Sequence, residues 1–302
     1  MNDGKTPESG AIYTEDDYCR TVVGEVHSRL LPGTSVEVIH ETNPGTQFRH
    51  VLFDFDGTLS LIREGWPEVM IPLMVEEILA TGTRESPEEI RRHCLGFVMR
   101  LTGKQTIYQM IQLAGEIRSR GGRPADPISY KQKYHARLMA KIRERRESLR
   151  AGRVSASDYL VPGALDMLST IRTMGLPMYL ASGTDQQYVV EEAGLLGLIP
   201  YFGDRVYGAI DDYRNFSKKM VIERILRENE VQGSSLLGFG DGYVEIENIK
   251  SAGGVAVAVA TDEAGRSGKP DAWKRDRLIG VGADLVIPDF RETGALLRYL
   301  FR

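Results

Sequence analysis

The run His50-Val51-Leu52-Phe53-Asp54-Phe55-Asp56-Gly57-Thr58-Leu59-Ser60 constrains this chain more than any other stretch. An apolar segment suited to a buried parallel strand stops at two carboxylates one residue apart, then glycine, threonine and a new apolar periodicity follow. Buried carboxylates are costly unless paired, so a strand that ends in two of them needs a neutralising partner, most simply a divalent cation. In open α/β sheets, ligands bind beyond the carboxyl ends of the strands, which is where Asp54 and Asp56 fall. Asp-Gly-Thr is also ordinary turn chemistry, although such a turn needs only one of the two aspartates.

From Leu160 onward the chain alternates between strands and helices. Pro162-Gly163 opens a predicted helix through Arg172, and Pro177–Ala181 reads as a strand running into Ser182-Gly183-Thr184. A helix over Gln186–Leu196 follows, then strands at Asp204–Tyr207, Ser235–Phe239, Val255–Val259 and Leu285–Ile287. Such alternation implies right-handed crossovers and a mostly parallel sheet, hence an α/β fold. Between the first strand and this half, residues 62–158 carry helical periodicity, with Val69, Leu73, Ile78 and Leu79 in one segment and Ile107, Met110, Ile111, Ala114 and Ile117 in another. Tyr130–Arg150 is rich in bases, but Tyr134, Leu138, Ile142 and Leu149 lie near one face and Glu144 and Glu147 interrupt the positive charge. A solvated amphipathic helix explains it better than a nucleic-acid patch.

The division expected is an N-terminal extension (1–47), an α/β core (48–61 and 159–302) and a helical cap (62–158). Within the extension, residues 1–12 are polar and expected to be mobile, Tyr13–Leu31 is a predicted helix ended by Pro32-Gly33, and Ser35–His40 alternates like a half-buried strand. An extra layer on the core, or a partner or oligomerisation surface, would account for it. At 302 residues and 42% hydrophobic the chain can bury one good core and a smaller one. A net charge of −4 gives no electrostatic reason to expect nucleic acid or a membrane as partner. Cys19 and Cys94 are too few for a disulfide framework and lack metal-ligand spacing, which suits reduced thiols in a cytoplasmic protein. The first residues show no charged-then-apolar signal, and no apolar run approaches membrane-spanning length.

Three further stretches complete a pattern with the first. Ser182-Gly183 follows a strand, Lys218 in Asn215-Phe216-Ser217-Lys218-Lys219-Met220 opens a helix, and Gly238-Phe239-Gly240-Asp241-Gly242-Tyr243-Val244-Glu245 is a second buried strand that ends in a carboxylate, with another four residues later. In this order they resemble the motifs of the haloacid dehalogenase-like superfamily of phosphohydrolases, over residues 48 to 302. The resemblance implies a Rossmann-like core whose Asp54 is the nucleophile and whose Asp56 is the general acid and base. It also implies phosphate contacts from Thr58, Ser182, Gly183 and Lys218, and Mg²⁺ held through Asp54, Asp56, Asp241 and Glu245. Helix register favours Lys218 over Lys219, although many relatives place proline after this lysine and this chain does not. The family commonly has Asp where Glu245 stands, so direct ligation, a water-mediated contact and a role in holding Lys218 all stay open there.

A helical insert directly after the first motif resembles the cap of the phosphoglycolate phosphatase and β-phosphoglucomutase-like branch. The activity implied is a magnesium-dependent phosphatase of a small phosphorylated metabolite, working through an aspartyl phosphate. A phosphomutase or phosphotransferase, and a catalytically idle metabolite-binding regulator, are the alternatives. Asp56 argues against the phosphonoacetaldehyde hydrolases of that branch, which need a small residue there. Selection among phosphate esters would fall to the cap, at Arg63 in Arg63-Glu64-Gly65-Trp66 and Lys104 in Thr102-Gly103-Lys104-Gln105-Thr106.

Overall fold

In a computed structural model, which describes residues 17–210, 216–230 and 232–302, the apolar runs assemble into one eight-stranded sheet. The strands are β1 (Arg29–Leu30), β2 (Glu37–Val38), β3 (His50–Phe53), β4 (Met178–Asp185), β5 (Val206–Ala209), β6 (Leu236–Gly240), β7 (Val255–Val259) and β8 (Leu285–Ile287). Their order across the sheet is β1-β2-β8-β7-β6-β3-β4-β5. The pairs from β5 to β8 are all parallel, and β2 and β1 are added antiparallel at the β8 edge. Every residue of β3 is buried, as a run apolar on both faces of a parallel sheet requires. Phe53 stacks on Phe239 of β6 at 4.8 Å between ring centroids. The chain runs from β3 to β4 and β5 on one side, then returns to lay β6 on the other. The resulting switch point opens a crevice at the C-terminal end of β3.

Helices α1 (Pro67–Leu79), α2 (Pro87–Arg100), α3 (Thr106–Ser119) and α4 (Pro127–Arg150) form an insertion between β3 and β4. Their ends carry local stop and start chemistry. Ser86 and Glu89 form a reciprocal capping box on α2, and the Asp126 carboxylate caps α4 at the Ile128 N–H. Leu73, Met74, Ile78, Ile90, Val98, Met110, Leu113, Leu138 and Ile142 are buried in their shared interior. Full burial of such side chains contributes about 1.5–3 kcal/mol each. Ile111, expected on the apolar face of α3, lies at its edge and is 38% exposed. The bases of α4 have carboxylate partners on α1: Lys133 meets Glu77, Arg137 meets Glu76 and Lys141 meets Glu68.

The remaining helices are α5 (Ala164–Thr173), α6 (Gln186–Leu195), α7 (Ile199–Phe202), α8 (Lys218–Glu228), α9 (Tyr243–Ser251), α10 (Ala272–Gly280) and α11 (Thr293–Leu300). β4 runs further than expected, through Ser182-Gly183-Thr184 to Asp185, with a register shift after Ala181.

The N-terminal segment departs from the sequence expectation. Residues 1–12 lie outside the described residues, and from residue 17 to 31 no helix forms. Thr21 and Val22 donate their N–H groups to the Gly280 carbonyl, Gly24 has φ of 98°, and Arg29–Leu30 pairs with Glu37–Val38 instead. Docking on α10 and the sheet edge has taken the backbone groups a helix would have used. Cys19 is exposed and Cys94 buried, and both are free thiols. No helix of the described residues is long and apolar enough to cross a membrane.

Candidate active site

Asp54 leaves the end of β3 with its backbone still on the sheet, its N–H bonded to the Phe239 carbonyl at 2.9 Å. Its Oδ1 accepts from Lys218 Nζ at 2.7 Å. Lys218 is the first residue of α8, which Ser217 caps by accepting the Met220 N–H, and its buried ammonium also contacts the Glu245 carboxylate. Lys219, the next residue, points to solvent near Glu223. Burial pushes the Asp54 carboxyl up to about 7; the Lys218 charge opposes this and the Asp241 charge adds to it. Asp56 also has its pKa raised, by burial first, with Arg63 opposing and Glu192 adding. Its Oδ2 accepts from the Thr184 hydroxyl at 2.8 Å, while Oδ1 has no hydrogen-bond partner among the described residues and lies 3.8 Å from Arg63 Nε.

Asp241 follows β6, and its carboxylate comes so near the turn after Asp56 that a Cβ on Gly57 would collide with it. Gly57 also has φ of 76°, so both the turn and the close approach require glycine there. Asp241 Oδ2 accepts from Lys274 Nζ at 2.8 Å, and the same ammonium is 2.6 Å from Glu263 Oε1.

Asp54, Asp56, Glu192, Asp241, Glu245 and Glu263 thus outnumber Lys218, Lys274, Arg63 and Lys104 around one cleft. Among the described residues no three His, Cys, Asp or Glu side chains form a ready cage for a metal. Mg²⁺ does not need one, since it takes one or two carboxylates and keeps several waters. The hard oxygen donors of Asp54 and Asp241 and the excess of negative charge fit that ion. Glu245 is turned to Lys218.

Ser182 is buried and its Oγ accepts the Thr184 N–H at 3.0 Å. Gly183 lies against the backbone of Lys104 and Gln105, where a Cβ would have neighbours at 3.4 Å. The insert is therefore closed on the core. A Cβ on Gly103 would sit 3.2 Å from Gly242 Cα, and Gln105 Nε2 donates to the Phe216 carbonyl at 2.7 Å. Lys104, just before α3, is buried and places Nζ 2.6 Å from Asp17 Oδ1. The segment carrying Asp17 is anchored by Tyr18, whose ring meets Tyr243 edge-on at 5.6 Å and takes the Arg277 guanidinium over its face at 3.9 Å. Arg63 gives both arms of its fork to buried Glu192, each at 2.9 Å.

A cavity of about 120 Å³ lies between core and insert. It brings together Asp54, Asp56, Ser182, Gly183, Lys218 and Asp241 with Arg63 and Lys104. Thr58 and Glu245 do not line it; the wholly buried Thr58 hydroxyl has no hydrogen-bond partner among the described residues. Sequence reasoning overlooked Thr184, Glu192, Glu263, Lys274, Asp17, Gln109 and Tyr134. Glu192 left a signal, a carboxylate on the face of α6 that also carries Val189 and Ala193. Lys274 and Glu263 left none, since only the crossover from β7 to α10 carries them to Asp241.

A family model described as haloacid dehalogenase-like hydrolase matches residues 48–253. The chain matches no curated protein. Solved structures do match it. A HAD hydrolase of family IA, variant 3, from Entamoeba histolytica has 20% identity and a TM-score of 0.56 over 84% of this chain and 100% of that one. A HAD family hydrolase from Deinococcus radiodurans, solved with bound phosphate and sodium, has 17% identity and a TM-score of 0.51 over 84% and 97%. A predicted phosphoglycolate phosphatase from Haemophilus somnus has 14% identity and a TM-score of 0.54 over 84% and 99%. At these identities the likeness is one of fold.

Proposed function

The chain belongs to the haloacid dehalogenase-like hydrolases, and from that membership we propose that it is a magnesium-dependent phosphatase acting on a small phosphorylated metabolite. The observation that carries this reading is the pair at the end of β3: one carboxylate tied to a buried lysine, the other raised in pKa by burial and held by a hydroxyl.

Asp54 is the nucleophile. Lys218 holds its Oδ1, and the lysine charge opposes the rise in pKa that burial causes. Attack on phosphorus breaks the ester P–O bond, and Asp56, whose carboxyl burial shifts towards its protonated form, passes a proton to the departing oxygen. Thr184 fixes the orientation of Asp56 during this transfer, and Ser182 and the Gly183 N–H face the phosphoryl oxygens. Asp56, now a carboxylate, takes a proton from water, whose oxygen attacks the aspartyl phosphate to release inorganic phosphate and restore Asp54. The closed insert limits the water that reaches the first step. Mg²⁺, held by the carboxylates of Asp54 and Asp241 and the carbonyl of Asp56, would supply positive charge to the phosphoryl group.

The test is release of inorganic phosphate from a panel of phosphate monoesters in the presence of Mg²⁺. Hydrolysis that EDTA abolishes and added Mg²⁺ restores is expected, with Asp241→Ala needing far more metal than the parent. A panel left intact under Mg²⁺ would contradict the reading.

A further inference from the structure

The insert contributes polar side chains to the cavity that the chemistry above does not use. Thr106 and Gln109 stand one turn apart on α3, on the same face, and Tyr134 comes from α4. Gln109 and Tyr134 are each 4% exposed, and among the described residues neither makes a hydrogen bond. Nor are the Gln109 amide and the Tyr134 hydroxyl among the polar atoms sealed off without a partner, so the little surface they keep opens on the cavity they line. Buried polar groups in native proteins are hydrogen-bonded with few exceptions, and an exception that faces a ligand cavity is explained by the ligand.

The cations of the same wall are not free in this way. Arg63 is committed to Glu192 and Lys104 to Asp17. The end of the cavity that receives the leaving group therefore offers an amide, a phenol and a threonine hydroxyl, but no unpaired positive charge. A carboxylate-bearing leaving group would lack a counter-charge there, whereas alcohol hydroxyls would satisfy both the donors and the acceptors. The cavity of about 120 Å³ is also well below the roughly 300–1,000 Å³ of sites for drug-sized ligands.

Resting on the phosphatase reading, we propose that the released alcohol is a short neutral polyol, recognised through its hydroxyls by Gln109 and Tyr134. Both residues are specificity determinants and leave the chemistry at phosphorus to the core.

The experiment compares kcat/KM for glycerol and erythritol phosphates, 2-phosphoglycolate and phenyl phosphate, in the parent enzyme and in Gln109→Met and Tyr134→Phe. The parent should favour a polyol phosphate over phosphoglycolate by about tenfold or more. In each variant the ratio of polyol phosphate to phenyl phosphate should fall about tenfold, mainly through KM, as expected for one lost hydrogen bond to substrate. The melting temperature should not fall, because neither polar tip has a hydrogen-bond partner among the described residues to lose. A preference for the acid, or equal losses on polyol and phenyl phosphates, would overturn the proposal. A parent that hydrolyses none of the four, phenyl phosphate included, would overturn the phosphatase reading and this inference with it.

Discussion

On the core wall of the cavity the polar and charged tips are tied to one another: Lys218 to Asp54 and Glu245, Lys274 to Asp241 and Glu263, and Thr184 to Asp56. On the insert wall, Gln109 and Tyr134 are equally buried and make no hydrogen bond among the described residues. The first arrangement is set before any substrate arrives, as groups that must meet phosphorus in fixed geometry require. On the reading proposed above, the second is completed by the substrate, chemistry and selection are divided between rigid strand ends and a helical insertion, and substitutions on the two walls should fail in different ways.

The largest effect is expected on the core wall. Asp56→Asn should lower kcat on an alkyl phosphate by about 10²–10⁴-fold, the usual worth of general acid catalysis. With phenyl phosphate the first step should suffer less, because a phenoxide departs without much help from a proton. Burst kinetics that show phosphoenzyme forming from the aryl ester alone would support this assignment, whereas equal losses on both esters would break it.

Arg63 sharpens the comparison because it stands on the insert side of the cavity yet belongs to the matched class. Arg63→Met would strand Glu192, which is fully buried, and should cost about 3–5 kcal/mol of stability by chemical denaturation. Adding Glu192→Leu should recover most of the loss. If the single variant is as stable as the parent, Arg63 is not a structural cation and its place among recognition residues reopens.

What was legible in the sequence follows the same division. Asp54, Asp56 and Asp241 could be read because each closes an apolar strand, and a carboxylate there is conspicuous on grounds of cost alone. Lys218 could be ranked above Lys219 from the helix it opens. Glu263 and Lys274 could not be read, since they reach the cleft only through a crossover of the sheet, whereas Glu192 left the slighter signal of a carboxylate on the apolar face of α6. On the insert, Gln109 looks like any polar residue between apolar positions of α3, and only the closed geometry distinguishes it. Of the helix expected over Tyr13–Leu31, residues 13–16 lie outside the described residues, and from residue 17 onward tertiary contacts override a weak local pattern. Thr21, Val22 and Val23 are poor helix formers, and the N–H groups of Thr21 and Val22 bond across to Gly280.

The smallest effect concerns that segment. Asp17 is more than half exposed, so its pair with Lys104 should contribute less than about 1 kcal/mol to stability. Its removal would nevertheless leave a buried ammonium on the insert wall without its counter-charge. Asp17→Asn should therefore raise kcat/KM for carboxylate-bearing phosphates relative to polyol phosphates by up to about tenfold. A ratio that does not move would mean that Lys104 does not face the leaving group.

The proposed mechanism requires Asp54 to accept the phosphoryl group. The direct measurement is acid-quenched peptide mapping of the enzyme after brief exposure to phenyl phosphate and Mg²⁺. A phosphoryl group on Asp54 is expected in the parent, more of it in Asp56→Asn, where the water step is slowed, and none in Asp54→Asn, which should also release no phosphate. A phosphoryl group carried by another residue, or steady turnover by Asp54→Asn, would contradict it.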